Sequence, residues 1–453
     1  MPRPKDRNPF PPELWLQICE NLEHPFPEND HAQRMLGLVR LGETCRAFHQ
    51  LVIPYQYRRI QAFWLGTPTQ DINMLKLVCT LIEHPELPKH IRFIHFQQNP
   101  VHRSTPTFQS MQPWGAALEN AFTLNSSDCN LEKFYGFPLF TQNTYLLVFL
   151  MNLASERLQR MSVTMPSYLN GIIRPERQAP IAGDVSVPRV RHLKRLTRLR
   201  LDDLLTSDKA NIFRLTKSMP KLKILQLVNI SRIEKAPDIT TQHFKNLTLL
   251  RFNNCVMGAH AVESIVISCP KLKQFEYKQR YELWAQYDLD LMDHATPKAL
   301  FGSLLPTQRT LETIEVDIAC ACEYWTENPA AWTDNDLLGS VPPLSALKKL
   351  TVNFNSIAQA DKHCLVRLIT NCPQLRELRL SQCGIPNPPV MAAFDSAIHD
   401  GAFPNLQLVI LTGVEESIKE EEEEERRVDD WYGATGAKPW QERGEVRTFY
   451  QRT

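Results

Sequence analysis

Near its start the chain reads FPPELWLQICENL, from Phe10 to Leu22. Pro11, Pro12 and Glu13 predict a helix start there, because proline fits the first helical turn, where its missing N–H is not needed. Leu14, Ile18 and Leu22 recur at helical spacing and form one apolar stripe, while Trp15, Leu16 and Cys19 are apolar and sit off it. A helix that is apolar on more than one side needs more than one thing to lie against. The polar, proline-bearing stretch from Glu23 to Gln33 reads as a loop. Helical periodicity then returns in RMLGLVRLGETCRAFHQLV, through Leu36, Val39 and Leu41 and again through Cys45, Phe48, Leu51 and Val52. This pattern predicts two short helices broken near Gly42, closed by IPYQYRRI with Pro54, two tyrosines and a basic pair.

Helices this short are marginal alone, and some fifty residues build only a small core. The segment nevertheless carries Phe10, Leu14, Trp15, Leu16, Ile18, Leu22, Leu36, Leu38, Val39, Leu41 and Phe48. Burying one such side chain is worth roughly 1.5–3 kcal/mol, so several left in water are costly. Either the rest of the chain covers this surplus or a second molecule does.

A different cadence governs the later chain: Leu-x-x-Leu-x-Leu, beginning at Leu196, Leu222, Leu247, Leu272, Leu311, Leu347, Leu375 and Leu406. Fainter copies precede it at Leu131 and Leu158. The first four strong copies are spaced 26, 25 and 25 residues apart, and the later steps lengthen to 39, 36, 28 and 31. Helical patterns lie between copies. Val262, Ile265, Val266 and Cys269 share one face, as do Cys364, Leu365, Leu368, Ile369 and Cys372, and both segments stop at Cys-Pro. This period and alternation are those of leucine-rich repeats. The predicted fold is an α/β repeat: a small all-α module followed by an irregular solenoid, with parallel strands concave and helices convex. The chain divides into residues 1–62 (helical module), 63–195 (connecting region with degenerate repeats), 196–414 (solenoid, with insertions at 281–305 and 320–343) and 415–453 (acidic, flexible tail).

Composition narrows the function. Lys+Arg is 51 against 50 for Asp+Glu, so no global imbalance points to nucleic acid or a membrane surface. Proline, at 33, is twice as common as glycine, at 16, which favours turns and helix stops over glycine-rich nucleotide loops. The start, MPRPKDRNPF, has no apolar run of a secretory signal. The longest apolar stretch, Tyr145–Ala154, is far short of the ~20 residues needed to cross a bilayer. An intracellular location, cytoplasmic or nuclear, is expected, with the 11 cysteines mostly reduced.

Gly37–Thr44 has P-loop spacing but places Glu43 where a lysine belongs. Cys320 and Cys322 lack a second pair or a histidine at zinc spacing. Cys255 and Cys383 fall in the repeat's Asn/Cys slot and Cys269 and Cys372 at helix ends, which marks them as buried thiols rather than nucleophiles. No enzyme activity, cofactor or metal is expected.

Target binding is expected on the strand face, where alternate positions point away from the helices. These positions include Arg198, Arg200, Arg251, Glu276, Glu315 and Arg379. The early end is basic, reinforced by Arg189, Arg191, Lys194 and Arg195, and suits an acidic or phosphorylated protein segment; the competing reading is a solvated face with no ligand. Nucleic acid ranks below both, because aromatic residues are sparse there. Trp325 and Trp332, with Trp284 and Tyr287, lie in the insertions and either anchor a partner or cap exposed repeats. From Glu415 the tail holds twelve acidic and seven basic residues, among them six consecutive glutamates, Glu420–Glu425.

The opening segment resembles an F-box of the kind common in fungal proteins. The matching pieces are Pro11–Leu14, the Ile18/Leu22 stripe, Thr44-Cys45-Arg46 with Phe48, and Pro54 through Tyr57-Arg58. It departs from that pattern in Phe10, where leucine is usual, and in a longer Glu23–Gln33 loop. The resemblance implies docking onto a Skp-type adaptor, and through it a cullin, by Phe10, Pro11, Pro12, Leu14, Trp15, Ile18, Leu22, Leu36, Leu41, Cys45 and Phe48. It also implies that the chain is the non-catalytic substrate receptor of a ubiquitin ligase, holding an unknown protein target on its repeats. The alternative is a repeat scaffold without any ligase, its first segment serving as a cap.

Overall fold

The computed structural model describes residues 12–23, 31–64, 68–98, 115–124, 139–164, 192–202, 219–230, 244–255, 257–279, 295–318, 336–357, 362–381, 388–414, 438–442 and 445–451. These fall into two units, residues 1–197 and 198–453.

Three helices open the first unit: α1 (Pro12–Glu23), α2 (His31–Thr44) and α3 (Arg46–Gln56). Their shared core is small: Cys19, Leu38, Val52 and Tyr55, with Met35, Leu41 and Leu51 packed partly against it. Two expectations change. The helix break falls at Cys45, which is extended at φ −161°, not at Gly42. Gly42 lies inside α2, where a Cβ would stand 2.9 Å from Val52 Cγ2, so its missing side chain is what lets α2 and α3 approach. The expected loop also ends early, because His31–Gln33 already belong to α2.

Strand β1 (Arg59–Trp64) follows α3 directly and pairs in parallel with β2 (Phe93–Gln98), which pairs with β3 (Arg160–Thr164). Helices α4 (Pro68–Glu83), α5 (Gly115–Leu124) and α6 (Leu139–Ala154) lie between these strands in the chain. The region read as connecting is therefore sheet and helix, and the first strand starts before residue 62. Its cadence uses other apolar residues: Ile91, Ile94 and Phe96 in one copy, Leu158, Met161 and Val163 in the next, all buried. The apolar run of α6 is the helix layer of this unit, with Leu146–Met151 buried. No helix among the described residues is long and apolar enough to cross a membrane.

In the second unit eight strands run parallel in chain order: β4 (Arg198–Asp202), β5 (Ile224–Val228), β6 (Leu249–Asn253), β7 (Gln274–Gln279), β8 (Thr313–Ile318), β9 (Lys349–Asn353), β10 (Glu377–Ser381) and β11 (Leu408–Val414). The arrangement is an α/β, solenoid-like repeat. Register puts Leu199, Leu225, Leu250, Phe275, Ile314, Leu350, Leu378 and Val409 in one buried row. Behind the strands lie α7 (Ala259–Ile267), α8 (Pro297–Gly302), α9 (Cys364–Ile369) and α10 (Pro388–His399), with α7 against α8 and α9 against α10.

One recurring turn uses four of the prolines. The N–H of Leu222 donates to the Met219 carbonyl at 3.1 Å, Leu272 to Cys269 at 3.0 Å, Leu375 to Cys372 at 3.1 Å and Leu406 to Phe403 at 3.2 Å. In each case proline stands second in the turn, where its fixed φ is already correct.

The insertions are shorter than expected. Residues 297–302 form α8, with Leu300, Phe301 and Leu304 buried, while Leu338 and Val341 are buried and Leu338 bridges to Ile357. The tail also differs: β12 (Lys438–Glu442) and β13 (Glu445–Gln451) form an antiparallel pair, and β13 covers the open edge of β11. The glutamate run, Leu131, Cys320, Cys322 and Cys383 lie outside the described residues.

Candidate functional site

The core of the three-helix module fixes which side of each helix faces in. Cys19 is buried on α1, and Trp15, one turn earlier, meets the Phe48 ring of α3 at 4.4 Å between centroids. On α2 the inward residues are Met35, Leu38, Leu41 and Gly42. The stripe that periodicity picked out therefore points the other way. Leu14, Leu16 and Ile18 on α1, with Leu36 and Val39 on α2, are between 40 and 47 % exposed. They are five of the seven large apolar side chains most exposed among the described residues.

The residues expected to meet an adaptor thus separate. Leu14, Ile18 and Leu36 face outward. Trp15 and Phe48 clasp α1 to α3, and Leu41 packs on the module's own core, so these three hold the surface in place rather than form it. Cys45 is exposed at the start of α3, and its thiol makes no capping hydrogen bond. Phe10 and Pro11 lie outside the described residues, and Pro12 and Leu22 are placed only as positions in α1. Leu16 and Val39 were missed as surface residues. Periodicity cannot choose between two apolar faces; only the burial of Cys19 and Leu38 does.

On the strand face the expected arginines do not stand as an open basic patch. Arg198 donates to Gln226 Oε1 at 3.1 Å, and Arg200 Nε donates to Asp202 Oδ2 at 3.0 Å. Arg251 grips Glu276 with both Nε and Nη2, and Gln274 donates to the same carboxylate at 2.6 Å. That clasp holds the Arg251 guanidinium above its ordinary pKa. Further along, Lys278 pairs with Glu315, and Glu377 takes both Lys349 and Arg379. Glu276 is 2 % exposed and cannot touch a target, which corrects its assignment. The reason is spacing: parallel strands set neighbouring positions about 4.8 Å apart, which pairs Arg251 with Glu276, Lys278 with Glu315 and Lys349 with Glu377, while Arg200 and Arg379 meet the carboxylate two residues away on their own strand. Trp325 and Trp332 lie outside the described residues.

Burial pushes Cys255, Cys269 and Cys372 up to about 12, so they stay protonated at neutral pH. Among the described residues no three His, Cys, Asp or Glu side chains are grouped to hold a metal ion. No protein-family model and no curated protein matches the chain.

Proposed function

We propose that the chain is a substrate receptor of a cullin-type ubiquitin ligase, binding a Skp-type adaptor through α1 and α2 and a protein target through its repeats. The observation that carries this reading is the set of exposed apolar side chains, Leu14 and Ile18 on one side of α1, Leu16 on the other, and Leu36 and Val39 on α2, on a module whose own core is only a few side chains deep. Five large apolar side chains exposed on two neighbouring short helices are more than one expects to be left in water without a partner. The F-box resemblance supplies the partner's identity. In this reading the protein performs no chemistry; it brings the target to a transferase held elsewhere in the assembly.

The scaffold alternative needs the apolar face of α1 to be turned into the chain as a cap. Part of the module does serve that way: α3 packs on the turn Leu87–His90, and Val52 and Tyr55 are buried. The outward sides of α1 and α2 do not. The test is co-expression of the full chain with a Skp-type adaptor, followed by affinity capture. Wild type should retain the adaptor, and Leu14→Ala with Ile18→Ala should lose it, since each removes an exposed anchor without touching Cys19 or Leu38. Failure of wild type to retain the adaptor, or retention by the variant equal to wild type, overturns the proposal.

A further inference from the structure

Strands β4 to β11 all run the same way, so the turns that lead into them lie along one edge of the second unit. Backbone bonds join one residue from each of six passes into a row there. Thr248 N–H donates to the Lys223 carbonyl at 2.8 Å, Lys273 to Thr248 at 2.9 Å and Glu312 to Lys273 at 2.8 Å. Lys348 then donates to Glu312 at 2.9 Å and Arg376 to Lys348 at 2.8 Å. Lys223, Lys273, Lys348 and Arg376 are thus cations of one register row. Lys221, Lys245, Lys271 and Arg309 lie just before that row, in the turns themselves. All eight are exposed.

Glu312 is the one acid in the row, and Lys273 at 2.9 Å and Lys348 at 2.7 Å share it. Lys271 donates to neutral Asn246 at 3.3 Å. Glu377, next to Arg376, is taken on the strand face by Lys349 and Arg379. Among the described residues no carboxylate pairs with Lys221, Lys223, Lys245, Arg309 or Arg376. Two further acids stand close by: Glu263 on α7, 3.7 Å from His260, and Asp400 just past α10. The edge is basic even though the whole chain is balanced at 51 against 50. Outside the helical module, the exposed large apolar side chains among the described residues are Ile267 and Leu305, and both lie here. Ile267, 44 % exposed, ends α7 four residues before Lys271; Leu305, 41 % exposed, opens the turn Leu305–Thr307 four residues before Arg309. That turn packs against α7, which brings both apolar groups to one stretch of the edge.

We infer that this edge docks on an anionic lipid surface, with its cations against the phosphate-bearing headgroups and Ile267 and Leu305 entering the layer beneath them. The inference is independent of the receptor reading. Steps of about 4.8 Å make the row from Lys223 to Arg376 about 24 Å long. Neighbouring cations stand closer than the screening length of about 8 Å at physiological salt, so they act as one field. Clusters of about 4–8 Lys/Arg are what an anionic leaflet retains, and the apolar pair supplies the second contribution that lasting attachment needs. Other anions fit less well. Protein carboxylates and phosphopeptides are read best by the arginine fork, whereas six of the eight cations are lysines. Single-stranded nucleic acid uses rings for its bases to stack on, and none of the exposed large apolar side chains is aromatic.

Vesicle flotation with the full chain tests this. The probes are vesicles of phosphatidylcholine alone and vesicles with about one-third phosphatidylserine. The chain should partition onto the anionic vesicles about tenfold better than onto the neutral ones, and less as salt is raised. Lys271→Glu with Arg309→Glu should lose about tenfold, and Ile267→Ser with Leu305→Ser should lose several-fold. The milder Lys245→Gln with Arg309→Gln removes two unpaired charges without reversing them and should lose several-fold with the fold preserved, as read by circular dichroism. Equal partition onto both kinds of vesicle, or unchanged binding by any one of the three variants, overturns the inference. So does release of the chain from anionic vesicles by an equimolar oligouridine, which would assign the edge to nucleic acid instead.

Discussion

Replacing Arg251 by methionine isolates the ion pair whose carboxylate is the more deeply buried on the strand face. Glu276 is 2 % exposed, and its Oε1 accepts from Arg251 Nη2 at 2.8 Å while Oε2 accepts from Nε. At an effective dielectric of about 20 the gross attraction across such a gap is about 6 kcal/mol, much of it offset by the cost of taking both charges out of water. Arg251→Met loses the attraction and leaves the carboxylate buried, so the desolvation cost stays. Breaking one side of such a pair costs roughly 3–5 kcal/mol. The surviving Gln274 hydrogen bond holds the loss near the lower end, about 3 kcal/mol. Amide hydrogen exchange of peptides covering β6 and β7, read by mass spectrometry, should then quicken by roughly a hundredfold, at about 1.4 kcal/mol per factor of ten. The paired replacement Arg251→Met with Glu276→Met removes both charges and should return exchange to within about tenfold of wild type. If Arg251→Met alone shifts exchange by less than about fivefold, or the pair is as damaging as the single change, the clasp is not what fixes these strands.

Two further outcomes follow from the packing and the charges. Gly42→Ala gains about 1 kcal/mol in helix propensity but drives a methyl into Val52 at a cost of about 1–3 kcal/mol. Limited proteolysis should therefore cut the module faster, and adding Val52→Ala should make the double variant less damaged than the two single changes summed; simple additivity would refute the contact. Glu312 is held down to about 2 from 4.5 by Lys273 at 2.9 Å and Lys348 at 2.7 Å. Because its folded pKa is the lower one, the stability it contributes is present above about 4.5 and is lost as pH falls toward 2. Glu312→Gln should flatten that part of the acid limb in urea midpoints measured between pH 7 and 3, less so at high salt; an unchanged acid limb would refute it.

The amino-acid order determined the repeat. Leu-x-x-Leu-x-Leu places three apolar groups on one side of a turn and strand, and the Pro-x-Leu turn before it needs only local backbone geometry. That is why Val262, Ile265, Val266, Cys269 and the corresponding residues from Cys364 to Cys372 were legible as one buried face. The first two strands escaped because isoleucine and phenylalanine fill the leucine slots, and burial does not distinguish them from leucine; the third was legible as the faint copy at Leu158.

Tertiary structure decided everything that depends on a neighbour. Which apolar face of α1 turns inward was settled by contact with α2 and α3, since both faces are greasy and periodicity is blind to direction. Gly42 reads as a helix break in one dimension and as a helix crossing in three. Arg198 and Arg251 read as free charges until parallel register set Gln226 and Glu276 beside them, whereas Arg200 and Arg379 find Asp202 and Glu377 two residues away on their own strands. Periodicity is a local property, but charge pairing and the choice of face depend on distances that only the folded chain creates.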